Sequence, residues 1–277
     1  MINNISTKTV GIFDSGVGGL SVLREIHALL PAQPLYYIAD QAHVPYGKRK
    51  LSEIRDFSFA ITDFFISIGI QIVVVACNTA SAAALNDLRE EYPQLTFIGM
   101  EPAVKPASQK THNGNVGVLA TPATFQGKLY NTLVEKFAKD VNIFTNTCPG
   151  LVEAIEAGKL SNHSTKTILK EVLLPMIEKG VDTIVLGCTH FPFVVPAIKD
   201  IVGPNIGVID PSPAIAKRVS SLLNKLDLIE KRSLNSDITY ATSGELENFS
   251  NTVYSLLNSD ISPKQIKWAD GKIKVIN

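Results

Sequence analysis

The sequence predicts an α/β protein built from two pseudo-equivalent domains, each with a mostly parallel sheet flanked by helices. Short β-branched segments alternate with segments of helical period, which is typical of parallel strands joined by right-handed crossovers. The strand segments are apolar throughout, as burial on both faces requires. Ligands of such sheets bind beyond the carboxyl ends of the strands, so the residues that follow each strand are the first candidates for function.

The predicted strands are short apolar runs rich in β-branched residues. They cover residues 9–13, 35–39, 70–76, 96–100, 115–120, 141–145, 183–187 and 207–210. Helical spacing is clearest in two of the segments between them. The apolar positions there are Leu20, Leu23, Ile26 and Leu30 in the first, and Ile54, Phe57, Ile61, Phe64, Phe65 and Ile68 in the second.

The last part of the chain is expected to complete one of the two sheets. It contains a predicted strand at 238–241, a helix near 246–257 and a strand at 266–269. The segment 230–237 before them is the weakest in apolar content and predicts a surface loop.

Two parts of the chain repeat the same pair of motifs. The first strand runs into a small polar loop at residues 11–16, and residues 117–122 have the same shape. Residues 74–79 and 185–190 each contain an apolar strand, a small residue, a cysteine and two polar residues. This pattern indicates a duplication that places Cys77 and Cys188 at the same strand tip of two equivalent domains.

Length and composition describe an ordinary globular protein. The chain has 277 residues, which favours two compact units, and it is 45% hydrophobic and 19% charged. The 26 Lys and Arg balance the 26 Asp and Glu, so neither nucleic acid nor a membrane surface is an expected partner. No basic start precedes an apolar core and no apolar run is long enough to span a membrane, so we expect a soluble, cytoplasmic protein.

The three cysteines are too few for a disulfide framework and form no C-x-x-C pair. Cys77 precedes a predicted helix, whose positive end favours a thiolate and brings the thiol pKa towards neutrality. Two thiols in equivalent positions suit a reaction that is symmetric between its directions. In a racemisation, one thiolate removes an α-proton from one face while the opposite thiol delivers a proton to the other face.

Other interpretations of the cysteines remain open. Both strand-tip thiols could be small buried residues, although their matched surroundings argue against this. Cys148 has no counterpart motif, which favours a structural role. A zinc site from the three cysteines and His190 is disfavoured, because the ligand spacings match no compact metal pattern.

Polar residues beside the strand-tip thiols supply candidate partners. Asp14 and Ser15 could bind an α-ammonium group or orient a thiol, and His190 could assist Cys188. Asn78, Thr79 and Thr189 offer donors for a carboxylate. The glycines of residues 16–19 lack the pattern of a phosphate loop and favour a tight turn with close backbone approach to a small anion. Tyr46 and Gly47 could close over a site or form only a turn.

At these residues the chain resembles the glutamate racemases of the aspartate/glutamate racemase superfamily. The matching stretches are residues 11–20, 40–48, 76–81 and 121–124, Cys148-Pro149 with the acidic helix behind it, and residues 187–192. The resemblance implies interconversion of L- and D-glutamate, supplying D-glutamate for peptidoglycan, without pyridoxal phosphate, metal or another cofactor. It also implies two similar domains, residues 1–98 with 210–277 and residues 99–209, that face each other across the site.

The same resemblance implies a role for each site residue. The thiol of Cys77 would deprotonate D-glutamate with support from Asp14, and that of Cys188 would deprotonate L-glutamate with support from His190 and Glu156. Glu153 is the alternative to Glu156. The implied substrate contacts are Asp14, Ser15, Tyr46, Gly47, Asn78, Thr79, Thr121, Thr124, Thr189 and His190.

Two other functions remain open at this point. The two-thiol chemistry also suits a racemase for another acidic amino acid, such as aspartate. A protein that closes two lobes on a small anionic ligand without turnover is the alternative from another class. The oligomeric state is also open, a homodimer being one arrangement.

Overall fold

A computed structural model describes residues 6–230 and 238–276. The strands are β1 (Val10–Asp14), β2 (Leu35–Ala39), β3 (Ile72–Val75), β4 (Thr96–Gly99), β5 (Asn115–Ala120), β6 (Asn142–Asn146), β7 (Thr183–Gly187), β8 (Gly207–Ile209), β9 (Ile238–Thr242), β10 (Lys264–Ala269) and β11 (Lys272–Ile276). The helices are α1 (Leu20–Leu29), α2 (Leu51–Ser67), α3 (Asn78–Glu91), α4 (Val104–Lys110), α5 (Pro122–Gln126), α6 (Lys128–Phe137), α7 (Leu151–Glu156), α8 (His163–Glu178), α9 (Val195–Val202), α10 (Ser212–Lys225) and α11 (Leu246–Leu257).

The strands form two sheets. The larger has seven strands in the order β11-β10-β9-β2-β1-β3-β4, and the smaller has four in the order β6-β5-β7-β8. Every pairing is parallel except that of β10 with β11. The predicted α/β class with mostly parallel sheets is therefore confirmed.

Alternation along β3 explains why its sequence is a continuous apolar run. Val74 lies in a core cluster with Leu23 of α1, whereas Val73 and Val75 lie in a second cluster with Phe65 of α2. Since successive side chains of a strand point to opposite faces, helices on both faces bury every residue of β3.

The C-terminal hairpin is the one strand pairing that the sequence analysis missed. Strands β10 and β11 are joined by Asp270 and Gly271, which both have positive φ, 52° and 70°. An Asp-Gly pair with two left-handed residues is the preferred two-residue hairpin turn. The alternating residues of β11 and this dipeptide were a readable hairpin pattern. Of the predicted surface loop 230–237, only Glu230 lies within the described residues.

The two sheets place their strand ends against each other. Thr189, after β7 of the smaller sheet, donates its hydroxyl to Asp14, the last residue of β1 in the larger sheet, at 2.9 Å. Thr79, after β3, lies 2.8 Å from the hydroxyl of Thr121, which follows β5. The carboxyl ends of the central strands of both sheets therefore meet in one region. Within the described ranges, no helix has the length and apolar character that crossing a bilayer requires.

Candidate active site

One small cavity lies where the two sets of strand ends meet. Its volume is about 20 Å³. Its lining residues are Ser15, Pro45, Tyr46, Gly47, Cys77, Asn78, Thr79, Thr121, Val152, Cys188, Thr189 and His190. The side chains come from both sheets, and they include both strand-tip cysteines. Most of the residues predicted from the sequence for the site therefore share one enclosed space.

A wider cavity of about 590 Å³ lies directly outside the inner one. Pro45 and Val152 line both cavities and so stand between them. Lys48 and Glu153 form an exposed ion pair that joins the loop after β2 to helix α7.

Cys77 lies two residues after the end of β3 and caps helix α3. Its Sγ accepts the backbone N–H of Ala80 at 3.4 Å, and the residue is 4% exposed. Burial raises the pKa of the Cys77 thiol, and the nearby charge of Asp14 raises it further, against the smaller opposite effect of the Ala80 N–H. The expectation that the helix end brings this pKa towards neutrality is therefore wrong, because desolvation and the charge of Asp14 outweigh the backbone N–H donors of Ala80 and Ser15.

Cys188 follows β7 and faces an imidazole. Its Sγ lies 3.6 Å from Nδ1 of His190, whose Nε2 lies 2.6 Å from Oε1 of Glu156. Because a carboxylate can only accept, Nε2 of His190 carries the proton of that bond. Burial lowers the pKa of His190, but hydrogen bonds to Cys188 and Glu156 outweigh it and raise the pKa well above the ordinary range. The imidazole of His190 therefore lies between Cys188 and Glu156, in contact with both.

Glu156 is the acidic member of this group. Burial raises its pKa, but the hydrogen bond and charge of His190, with the N–H of Val17 at 2.8 Å, outweigh burial and hold the pKa below its ordinary value. Glu153 points instead to Lys48. Of the two glutamates considered from the sequence, Glu156 is therefore the one that contacts His190.

The glycine loop 16–19 is shaped by these side chains. A Cβ at Gly16 would lie 1.9 Å from Oε1 of Glu156, and one at Gly18 would lie 2.4 Å from Nδ1 of His190. The loop therefore lies against the carboxylate of Glu156 and the imidazole of His190.

Asp14 lies at the centre of the contact between the sheets. It is fully buried, and it accepts the N–H of Gly16 at 2.9 Å, the hydroxyl of Ser15 at 3.2 Å and that of Thr189 at 2.9 Å. Burial raises its pKa, with a smaller opposite effect from the charge of His190. Asp14 is thus linked to the loop after Cys188 as well as to the surroundings of Cys77.

Asn78 carries the clearest sign of an unfilled binding position. Its side chain lines the cavity, yet within the described part of the chain neither its amide oxygen nor its amide nitrogen has a hydrogen-bond partner. A buried amide without partners costs about 1–3 kcal/mol per unsatisfied group. A polar ligand in the cavity would recover this free energy.

Three threonine hydroxyls form a second polar group on the wall. Thr79, Thr121 and Thr124 lie within 2.8–3.3 Å of one another. Thr124 is not a lining residue and contacts the cavity only through the other two hydroxyls. Hydroxyls that can both donate and accept suit a carboxylate, which accepts from several donors.

The loop after β2 brings Tyr46 and Gly47 to the cavity. The hydroxyl of Tyr46 donates to Asp40 at 2.6 Å, so the wall that faces the cavity is its ring and the backbone behind it. A Cβ at Gly47 would lie 2.7 Å from Cβ of Thr121, so a side chain there would push the two sheets apart.

Cys148 is buried in the core of the smaller sheet and is not a lining residue. Its backbone N–H is accepted by the side chain of Asn146 at 2.8 Å, and its φ is 47°. Among the described residues, no three His, Cys, Asp or Glu side chains are grouped so that they could hold a metal ion.

The sequence analysis missed several residues of the site. Pro45 and Val152 form its outer wall, and Gln41 donates to Oε2 of Glu156 at 3.1 Å. Pro45 lies inside the matched stretch 40–48 and could have been named with Tyr46. Nothing in the local pattern points to Gln41, because its partner lies far along the chain.

Strand ends of the two sheets each present a cysteine to one small cavity, an arrangement suited to the class of enzymes that act on both faces of one carbon atom with two acid/base groups. The family model of Asp/Glu/hydantoin racemases matches residues 10–219, and the chain belongs to this family.

Relatives of the chain are glutamate racemases. That of Roseiflexus sp. (strain RS-1) is 46% identical over 252 residues, which are 91% of this chain and 93% of the relative. The crystal structure of glutamate racemase isoform RacE1 from Bacillus anthracis matches with a TM-score of 0.85 and 30% identity, covering 95% of this chain and 98% of that one. The structure from Francisella tularensis subsp. tularensis SCHU S4, in complex with D-glutamate, matches with a TM-score of 0.82 and 27% identity over 96% and 98% of the two chains.

Proposed function

We propose that this protein is a glutamate racemase that interconverts L- and D-glutamate with the thiols of Cys77 and Cys188 as its two acid/base groups. The observation that carries the proposal is the cavity that both thiols line, one from the loop after β3 and one from the position after β7. The family and the identity to glutamate racemases support glutamate as the substrate.

In the direction from L- to D-glutamate, Cys188 starts as the base. Its thiolate, paired with protonated His190, takes the α-proton and becomes a thiol. Cys77, whose pKa is raised, starts as a thiol and gives its proton to the opposite face of the same carbon. The product leaves Cys188 protonated and Cys77 ionised, and exchange of protons with solvent restores the starting state. In the reverse direction the two thiols exchange roles.

The polar wall is suited to holding the substrate during this transfer. The unpartnered amide of Asn78 and the hydroxyls of Thr79, Thr121, Thr124 and Thr189 supply hydrogen bonds for the carboxylates. Ser15 lines the cavity and donates to Asp14, whose carboxylate is buried behind the cavity wall and supplies a negative charge near the α-ammonium group. The backbone at Tyr46 and Gly47 closes the wall. These donors stabilise the charge that develops on the α-carbon and its carboxylate when the proton leaves.

A two-domain division follows the two sheets. We assign residues 1–98 and 210–277 to one domain and residues 99–209 to the other. In support, β1–β4 and β9–β11 form the larger sheet, and β5–β8 form the smaller one. Helix α10 packs on α1 beside the larger sheet, through Val219 and Leu223 among others. On this division each domain contributes one thiol.

The cellular role follows from the product. D-glutamate is a building block of peptidoglycan, so the enzyme would act in cell-wall formation and the maintenance of cell shape, in the cytoplasm where the precursors are assembled. The partner would be the small-molecule substrate, with neither nucleic acid nor membrane involved. A homodimer is one assembly to be tested by the mass of the protein in solution.

The function is tested by incubating the purified protein with L-glutamate, and separately with L-aspartate, in deuterated water without added cofactor. Loss of optical rotation and of the α-proton signal with L-glutamate is the expected result, with L-aspartate much slower. Equal or faster turnover of L-aspartate would mean that aspartate, and not glutamate, is the substrate. No change of optical rotation or α-proton signal with either amino acid would refute the racemase. Saturable binding without turnover would favour a ligand-binding protein.

A further inference from the structure

A line of hydrogen bonds runs from the end of β9 to the catalytic thiol of the smaller sheet. The backbone N–H of Gly244 donates to the hydroxyl of Thr242 at 3.0 Å, and this hydroxyl donates to Oε1 of Gln41 at 2.9 Å. The amide nitrogen of Gln41 donates to Oε2 of Glu156 at 3.1 Å. Beyond Glu156 the line continues through His190 to Cys188.

The chemistry of the groups determines which way this line points. Ionised Glu156 only accepts, so the atom of Gln41 that faces it must be the NH₂ group. The amide oxygen of Gln41 is thereby turned to Thr242, whose hydroxyl must donate because an amide oxygen only accepts. Every donor between Gly244 and Glu156 therefore points towards Glu156, where His190 donates from the other side, and the amide of Gln41 has a single orientation.

The two oxygens of Glu156 have different partners. Oε1 accepts from Nε2 of His190 and from the N–H of Val17, whereas Oε2 accepts from Gln41. Without the Gln41 donor, Oε2 would lose this protein partner and the carboxylate could rotate about its last bond. That rotation would move Oε1 away from His190.

The turn after β9 packs closely against the side chain of Gln41. A Cβ at Gly244 would lie 2.8 Å from both Cβ and Oε1 of Gln41, so the turn after β9 can approach only as glycine. The half-buried amide of Gln265 donates to the carbonyl oxygens of Thr242 and Gly244, both at 3.1 Å, and holds the same turn from the other side. The turn is thus shaped around Gln41 and held there independently of Glu156.

We propose that Gln41 is a positioning residue that holds the carboxylate of Glu156 in register with His190, and thereby keeps the imidazole aligned on the sulfur of Cys188. This role rests on the proposed function, because it concerns the thiol that abstracts the proton of L-glutamate. Gln41 touches neither the cavity nor the substrate position and acts only through Glu156 and His190.

The main test replaces Gln41 by an apolar side chain of similar length. Gln41→Met removes the donor and is expected to lower kcat roughly tenfold, the effect of losing one hydrogen bond to a charged group. Thr242→Val removes the hydroxyl that orients Gln41 and is expected to act in the same direction, with a smaller loss. Gln265→Met is the matched control, since it loosens the same turn without touching Glu156, and it is expected to stay within twofold of the wild type.

Isotope effects separate positioning of Cys188 from a general loosening of the structure. With α-deuterated L-glutamate, the carbon–deuterium bond is broken by Cys188, so the isotope effect on kcat/KM should rise in Gln41→Met. With α-deuterated D-glutamate that bond is broken by Cys77, so the isotope effect should fall. Isotope effects that move together in both directions, or a response matched by Gln265→Met, would overturn the proposal.

A measurement independent of turnover follows the carboxyl group itself. Besides Gln41, Glu156 faces charged His190 and lies near the carboxylate of Asp14. In a carboxyl-carbon NMR titration, loss of the Gln41 donor is expected to raise the pKa of Glu156, and an unchanged pKa would contradict the proposed contact. A wild-type protein that does not racemise glutamate would refute the function, while this titration would still decide whether Gln41 holds Glu156.

Discussion

The two strand-tip thiols occupy equivalent places in the chain but unequal surroundings. Cys77 has a backbone N–H and the negative charge of Asp14 nearby, and its pKa is raised. Cys188 faces His190, which is paired with Glu156 and whose own pKa is raised. A racemase needs one base and one acid at each moment. The difference teaches that each thiol has its own kind of partner, a carboxylate near Cys77 and an imidazole beside Cys188.

The largest expected effect comes from removing either thiol. Cys77→Ala and Cys188→Ala are each expected to reduce racemisation by about 10³-fold or more, since each removes a group that transfers the proton. The residual chemistry should differ between them. Cys77→Ala should still exchange the α-proton of L-glutamate with deuterated water, and Cys188→Ala that of D-glutamate, as NMR of each enantiomer would report. A fully active Cys77→Ala variant would refute the two-base mechanism.

Substitution of the residues that assist each thiol tests the difference between Cys77 and Cys188 further. Glu156→Gln and His190→Asn are each expected to lower kcat by about 10²-fold, because the thiolate of Cys188 loses its imidazolium partner. In both variants the isotope effect on kcat/KM should rise with α-deuterated L-glutamate. Asp14→Asn should raise it with D-glutamate instead. If Asp14→Asn changed the isotope effects in the same way as Glu156→Gln and His190→Asn, these residues would assist both thiols and not one thiol each.

The ion pair on the Cys188 side also predicts how stability depends on pH. The pKa of Glu156 is lowered on folding, so its contribution is present above the ordinary value of about 4.3 and is lost as the pH falls through the folded pKa. The pKa of His190 is raised, so its contribution is present below about 6.5 and is lost as the pH rises through the folded pKa.

Glu156→Gln should therefore lower the free energy of unfolding by about 3 kcal/mol near neutral pH. The difference from the wild type should shrink at both extremes of pH, as urea unfolding at a series of pH values would reveal. A difference that does not change with pH would mean that the pair is not ionised in the folded protein.

The smallest effect on activity is expected for the third thiol. Cys148→Ala leaves the cavity wall intact, so kcat should stay within about twofold of the wild type, while the loss of a buried sulfur atom costs about 1 kcal/mol of stability. Turnover and thermal unfolding of the same preparation would check this. A loss as large as that in Cys188→Ala would mean that Cys148 takes part in the chemistry.

Periodicity predicted most of the fold because the sheets are parallel and buried on both faces. The predicted strand 35–39 coincides with β2, and 115–120 with β5, while the run 70–76 was longer than β3, since its end residues Ile70 and Ala76 are buried but lie outside the strand. The hairpin partner β11 was not predicted, although its lysines alternate with apolar residues, because the strands were identified from continuous apolar runs, which are typical of burial on both faces.

The candidate site could be predicted only where a motif and its function lie together in the chain. Cys77 with Asn78, and Cys188 with His190, stand side by side, so their neighbourhood was readable. The pairing of Glu156 with His190, and that of Gln41 with Glu156, depend on how helix α7 meets the loops of the larger sheet. Burial, which raises the pKa of Cys77, also arises only when the two sheets close on each other.

The most direct test follows the α-proton during the first conversion of unlabelled L-glutamate in deuterated water. Two thiols on opposite faces predict that the D-glutamate formed early carries deuterium at its α-carbon, while the remaining L-glutamate still carries hydrogen. D-glutamate that retains the original proton would contradict this, because a single group would then have moved the proton from one face to the other.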